Sequence, residues 1–324
     1  MTALTRRAVL AGGTAGLVAT AAPPAAAFAQ ERIIPTHFED GIIYATPVTA
    51  DGHAMKLLTD TGGGLFLLEP AVARLGLDVE TATVDGRQTS LASLPGFRQD
   101  AWIPEPVGSD SRMPVMPAAG EGKMFADRGL DGMLGQAWFG DRVWTFDYPA
   151  KKLLLGPVSF LSGESGKGVA PLEFQTRDGR RSTHFPLIRA DIAGETLDLL
   201  FDTGAQSPLT PGAQAVLGPG GEWRASSFIG KSVADRWRAA NPDWPVVLGG
   251  EKMTGMDLVR APNVRVAGLD LGPAWFAVRP DKNFTEWMSQ WMARPIVGAL
   301  GASAFSRARI VADYPAALAR FEVA

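Results

Sequence analysis

Leu200-Phe201-Asp202-Thr203-Gly204-Ala205-Gln206 closes an apolar run that begins at Leu197, and the chain holds a second stretch of the same kind, Leu58-Thr59-Asp60-Thr61-Gly62-Gly63-Gly64. One Asp-Thr-Gly carries little weight, since about one chain in fifteen of this length contains it by chance. Two copies, each entered from a short apolar stretch (Met55-Lys-Leu-Leu-Thr and Leu197-Asp-Leu-Leu-Phe), are either two turns or two halves of one site.

The flanking sequence decides between these. Sixteen residues after Asp60 comes Gly76, at the end of Leu68-Glu-Pro-Ala-Val-Ala-Arg-Leu-Gly; sixteen after Asp202 comes Gly218, at the end of Leu209-Thr-Pro-Gly-Ala-Gln-Ala-Val-Leu-Gly. Both read as short helices begun by Pro and stopped by Gly. Further on, Gly132-Met-Leu-Gly135-Gln-Ala-Trp-Phe139 matches Gly298-Ala-Leu-Gly301-Ala-Ser-Ala-Phe305, and each is followed by Asp-Tyr-Pro, at Asp147 and at Asp313. Four features in one order predict a duplication, with halves at residues 31–160 and 168–324 and a small, polar, Gly-rich linker between them. Gly76 to Gly132 spans 56 residues and Gly218 to Gly298 spans 80. The surplus of about 24 in the second half is expected to include a capped helix over Ser232–Ala240, stopped by Asn241-Pro242. Most other segments alternate as strands, for example Val143-Trp-Thr-Phe and Leu153-Leu-Leu around the first Asp-Tyr-Pro turn.

A strand, Asp-Thr-Gly, a helix ending Leu-Gly, a later pair of apolar residues before Gly and a terminal hairpin together resemble the lobe plan of the aspartic peptidases. The details are similar to the bacterial retropepsin-like branch, written twice in one chain in the manner of pepsin, over nearly all of residues 31–324. The resemblance implies an all-β, bilobal aspartic-peptidase fold with two β-barrel-like lobes and a few short helices. It implies Asp60 and Asp202 as the catalytic pair, facing each other across a pseudo-twofold axis with a peptide or protein substrate in the cleft. It also implies that Thr61, Gly62, Thr203 and Gly204 support the catalytic loops, and it calls for no cofactor and no metal.

Peptide hydrolysis needs a water made nucleophilic and a carbonyl made electrophilic. Two carboxylates a few Å apart cannot both ionise easily, so they hold one proton between them, as the aspartic protease dyad does. The charged member takes a proton from water and the neutral one donates to the carbonyl oxygen. The sequence departs from pepsin-like lobes, which follow Asp-Thr-Gly with Ser or Thr, by placing Gly63 and Ala205 there. No tyrosine stands where a pepsin-type flap would carry one. The hairpin around Val84-Asp85-Gly86-Arg87 is the candidate flap over substrate, because Asp-Gly marks a tight turn; a plain surface hairpin is the other reading of Asp85, Gly86 and Arg87. The rival functional class is a non-catalytic peptide- or protein-binding module on the same fold.

Composition sets the outer limits. The chain has 324 residues, 46% of them apolar, which suffices for a large core. Its 31 basic and 34 acidic residues are dispersed, so no basic stripe points to nucleic acid. There is no Cys, which removes disulfides and thiolate chemistry, and the three His are too scattered for a zinc site. Thr5-Arg6-Arg7, a mild apolar run from Ala11 to Ala22 and Ala27-Phe28-Ala29 read as a twin-arginine export signal over residues 1–29, giving a periplasmic or secreted protein without a stable membrane anchor. Since both acids lie in one chain, a monomer is expected. Asp147 and Asp313 are assigned to turns. Phe284, Trp287, Met288, Trp291 and Met292, at helical spacing, are assigned to a helix packed on the second half.

Overall fold

The computed structural model describes residues 31–84, 86–108, 111–156 and 159–323. The expected export signal lies outside the described residues, as does Asp85. The described chain is mostly β, with short helices between strands.

The first half opens with β1 (Arg32–Ile33), β2 (Thr36–Glu39) and β3 (Ile42–Ala45). β4 (Leu57–Thr59) delivers the first Asp-Thr-Gly, and β5 (Phe66–Leu68) runs straight into α1 (Glu69–Leu75). The hairpin of β6 (Glu80–Val84) and β7 (Arg87–Ser93) precedes β8 (Arg112–Met116) and α2 (Lys123–Ala126). Then come β9 (Gly132–Leu134), α3 (Gln136–Phe139), β10 (Val143–Asp147) and β11 (Lys152–Leu155).

The second half begins with β12 (Val169–Pro171) and the small β13 (Thr176–Arg177) and β14 (Arg180–Arg181). β15 (Leu187–Ile192) and β16 (Glu195–Asp202) form a hairpin that delivers the second Asp-Thr-Gly. β17 (Gln206–Pro208), α4 (Pro211–Leu217) and β18 (Trp223–Ala225) follow, then β19 (Ser227–Gly230) and α5 (Lys231–Ala240). β20 (Val246–Val247), β21 (Leu258–Ala261), β22 (Val264–Val266), β23 (Leu269–Asp270) and β24 (Ala274–Arg279) complete its sheet with β25 (Gly298–Gly301). α6 (Ala302–Phe305), β26 (Ala308–Asp313) and β27 (Leu318–Val323) end the chain's described part.

Seven strands recur in one order in the two main sheets. The first half reads β3-β4-β9-β5-β8-β7-β6, and the second reads β15-β16-β25-β19-β24-β21-β20. In each, the strand before Asp-Thr-Gly pairs in parallel with the later Gly-containing strand, which also pairs antiparallel with a third (β4·β9·β5 and β16·β25·β19). Such a threaded centre locks three distant segments together, so the two Asp-Thr-Gly loops are held by backbone on both sides.

The register corrects one expectation. Phe66 faces Met133 as Phe228 faces Ala299, and Leu67 faces Gly132 as Ile229 faces Gly298. The counterpart of β5 and α1 is therefore β19 and α5, twenty residues further from its Asp than the sequence spacing suggests. α4 is a helix as expected, with Thr210 accepting from the Ala213 N–H at its start and Gly218 at its end. It is nevertheless not the partner of α1. Twenty of the surplus residues lie in 206–225, where the chain leaves at Ala205 and returns at Ser226, whose N–H donates to the Ala205 carbonyl at 2.9 Å. Ser232 does not cap α5 either; it lies within the helix and donates through N–H and Oγ to Asp281 Oδ1, at 3.0 and 2.9 Å.

A six-stranded sheet, β1-β11-β10-β26-β27-β12, joins the halves. At its centre β10 and β26 run antiparallel, with Val143 opposite Asp313, Thr145 opposite Val311 and Asp147 opposite Arg309. That register is symmetric about Thr145 and Val311, so the local twofold passes between them. The main core beneath the site includes Phe146, Phe201 and Phe305, with ring centroids 6.0 and 5.1 Å apart. Asp147 and Asp313 take the turn roles expected of them, accepting from the N–H of Ala150 and Ala316 at 2.9 Å. Asp313 also accepts from Ser159 Oγ and from the N–H groups of Phe160 and Leu161, anchoring the linker.

The 284–292 stripe departs from expectation. It forms a π turn (Asn283–Trp287) and a 3-10 turn (Met288–Trp291) rather than an α-helix. Phe284 and Met292 are buried against Leu187 and Leu200, whereas Trp287 is 64% exposed. Among the described residues no helix is long and apolar enough to cross a membrane.

Candidate active site

β4 and β16 each end at an Asp-Thr-Gly, and the two loops meet back to back. Thr61 Oγ1 donates to the Phe201 carbonyl at 2.7 Å and accepts from the Thr203 N–H at 2.9 Å. Thr203 Oγ1 accepts from the Thr61 N–H at 3.3 Å. Both threonines are buried, so these crossed bonds fix one half on the other where an unmet group would cost about 1–3 kcal/mol.

The same contact brings the acids together. Gly62 N–H donates to Asp60 Oδ1 at 2.9 Å and Gly204 N–H donates to Asp202 Oδ1 at 3.1 Å. Each glycine also abuts the acid of the other half. A Cβ on Gly62 would lie 2.6 Å from Asp202 Cγ, and one on Gly204 would lie 2.2 Å from Asp60 Cγ. Glycine is required at both positions by close approach. Gly63 has the same reason to be glycine, since a Cβ there would meet Asp60 Oδ2 at 2.6 Å. The missing hydroxyl after the first Asp-Thr-Gly is thus a matter of space.

Asp202 is 7% exposed and Asp60 keeps somewhat more contact with solvent. Burial pushes both carboxyls above the ordinary range. Asp202 is raised further by the charge of Asp60 and by the hydrogen bond they share. For Asp60 that bond, with the N–H groups of Gly62, Gly63 and Gly204, pulls the other way. The pair therefore favours holding a proton between its two carboxyls.

Two residues that sequence reasoning assigned only to turns lie close to this centre. Tyr148 and Tyr314, of the two Asp-Tyr-Pro repeats, are buried and their hydroxyls have no hydrogen-bond partner among the described residues. Burial raises both phenols, and the opposite half's acid adds to it: Asp202 for Tyr148, Asp60 for Tyr314. Their recurrence at one spacing was the available signal.

β6 and β7 form the expected hairpin, with Gly86 at positive φ in its turn, at the sheet edge and separated from β4 by the three strands β9, β5 and β8. Arg87 is exposed, and among the described residues no hydrogen bond or ion pair ties Gly86 or Arg87 to Asp60 or Asp202. Among the described residues no cluster of three or more His, Asp or Glu is disposed to hold a metal ion. No protein-family model and no curated protein matches this chain.

Proposed function

We propose that the chain is an exported aspartic-type endopeptidase with the bilobal aspartic-peptidase fold, acting as a monomer on peptide or protein substrates. One observation carries this reading: two enclosed carboxyls, Asp60 and Asp202, delivered by matching strands, both driven toward the neutral form by burial and Asp202 further by the charge of Asp60. A site of that kind has both a base and an acid at one pH. The charged member of the pair accepts a proton from a water held between the acids, and the neutral member donates its proton to the carbonyl oxygen of the scissile bond. The resulting tetrahedral species collapses with the proton passing to the leaving amine, and no covalent bond to the protein forms. The crossed threonines keep the two acids at a fixed separation, which matters because a small misplacement of either costs rate steeply. The exposed β6–β7 hairpin is the segment proposed to fold over bound peptide.

The test is digestion of a peptide library at acid pH by the wild type, Asp60→Asn and Asp202→Asn, with and without a statine-type inhibitor. Cleavage by the wild type alone, blocked by the inhibitor, is expected. Full cleavage by either folded single variant would reject the dyad.

A further inference from the structure

The 206–225 excursion leaves the second half and fastens to the first, beside the acids. Ala225 N–H donates to the Asp40 carbonyl at 3.0 Å, and Gly221 N–H donates to Asp40 Oδ2 at 2.6 Å. Arg128, in the turn before β9, donates through Nη2 to Gln206 Oε1 at 2.7 Å and to Tyr44 Oη at 2.6 Å. Its guanidinium lies over the Trp223 ring, 4.2 Å from the centroid. Trp223 and Ala225 pack on the apolar patch of Tyr44, Leu58, Phe66 and Met133. That patch begins next to the first acid, because Leu58 is two residues from Asp60 and the Met133 methyl crowds Gly63. The first half makes no matching excursion, since Gly63 leads directly to Gly64 and β5. The two sides of the dyad therefore differ, and one of them is bridged.

Where the excursion meets the first half there is a cavity of about 210 Å³, lined among others by Glu39, Lys56, Arg128, Glu222 and Trp223. The charges around it are matched with one exception. Glu39 pairs with Lys56 at 3.5 Å and Glu222 with Lys252 at 3.0 Å, while Asp40 is taken up by Gly221 and Arg224. Arg128 has only neutral partners, and its Nη1 is buried with no hydrogen-bond partner among the described residues. A guanidinium offers a planar fork suited to a carboxylate, and an unmatched one at a cavity is a receptor for it. Gln206, which Arg128 touches, is four residues past Asp202, at most about 14 Å of chain. A peptide lying across the acids would reach Arg128 with a residue a few places from the scissile bond.

We infer that Arg128 is a specificity determinant that docks a substrate carboxylate at the bridged side of the dyad, from an acidic side chain or a free C-terminus. The inference rests on the peptidase reading for its substrate, but its test reads binding as well as turnover. Peptides with a fixed cleavable bond would carry Glu or Gln at each of the second to fourth positions on either side, and end in acid or amide. Wild-type kcat/KM is expected to favour the carboxylate roughly tenfold or more, at one position or at the terminus. The two series distinguish side chain from terminus. The same peptides titrated into Asp202→Asn by calorimetry should show the same preference in Kd without hydrolysis. Arg128→Gln should abolish it, bringing kcat/KM and Kd for the carboxylate peptides to those of their neutral counterparts. Gln206→Glu, which supplies a built-in carboxylate to Arg128, should abolish it too, and serves if Arg128→Gln fails to fold. Preference seen in binding but no turnover would sink the peptidase and keep Arg128's role. Turnover with no carboxylate preference in either series, or preference that survives both variants, overturns the inference.

Discussion

Gly62 and Asp202 come from different halves of the chain, yet a single methyl group on the glycine would sit within 2.6 Å of the carboxyl carbon. Gly62→Ala should therefore cost about 1–3 kcal/mol of stability through overpacking, and lower hydrolysis by pushing the acids apart; denaturant midpoints beside kcat measure both. The acids themselves give a signed pH effect. Both carboxyls stand above their ordinary values when folded, so the native state holds a proton that the unfolded chain releases. Their contribution to stability is full below the unfolded carboxylate range and is lost as pH rises through the raised native value. Asp202→Asn should thus resemble the wild type in Tm at low pH and exceed it near neutrality. Its hydrolysis should fall by at least ~10²-fold, with the double variant scarcely worse, because the pair works as a unit. A Tm gap that widens toward acid would contradict the raised carboxyls.

At the scale of elements, the 206–225 excursion is separable in principle, since Ala205 and Ser226 already meet through a backbone hydrogen bond and the first half makes the same loop with no insertion. Joining Ala205 to Ser226 should give a folded chain with a lower Tm, from exposure of the Tyr44–Leu58 patch; circular dichroism and calorimetry would check it. The excursion also marks where sequence reading stopped. Glycine, proline and apolar patterning located α1, α4 and the Asp-Tyr-Pro hairpins, because each depends on local chain chemistry. Equivalence between halves is a property of strand pairing, and α4 imitates α1 in spacing and composition while β19 takes the place of β5. The threonines and glycines of the two loops were legible because crossed hydrogen bonds and close approach restrict those positions to few residue types. Arg128 was not, because nothing local to a lone arginine in a turn announces that its charge goes unmatched.

For the whole molecule, both acids and the sheet that unites the halves belong to one chain. Activity per mole should accordingly be independent of dilution; a specific activity that declines toward nanomolar protein would show that a second copy is needed. The central pairing of β10 with β26 has a further consequence for the chain as it is synthesised. Until residues 308–313 arrive, β10 is an open edge whose N–H and C=O groups invite another strand. Its register with β26 is symmetric about Thr145 and Val311, so a second copy of β10, with Thr145 over Thr145, meets the same geometric demand. A fragment of residues 31–158 should therefore self-associate into a two-fold dimer that places two copies of Asp60 face to face, and sedimentation of that fragment against its Thr145→Pro variant would reveal it. In the full-length chain the second half is tethered, and its high effective concentration at that edge is expected to outcompete a second copy.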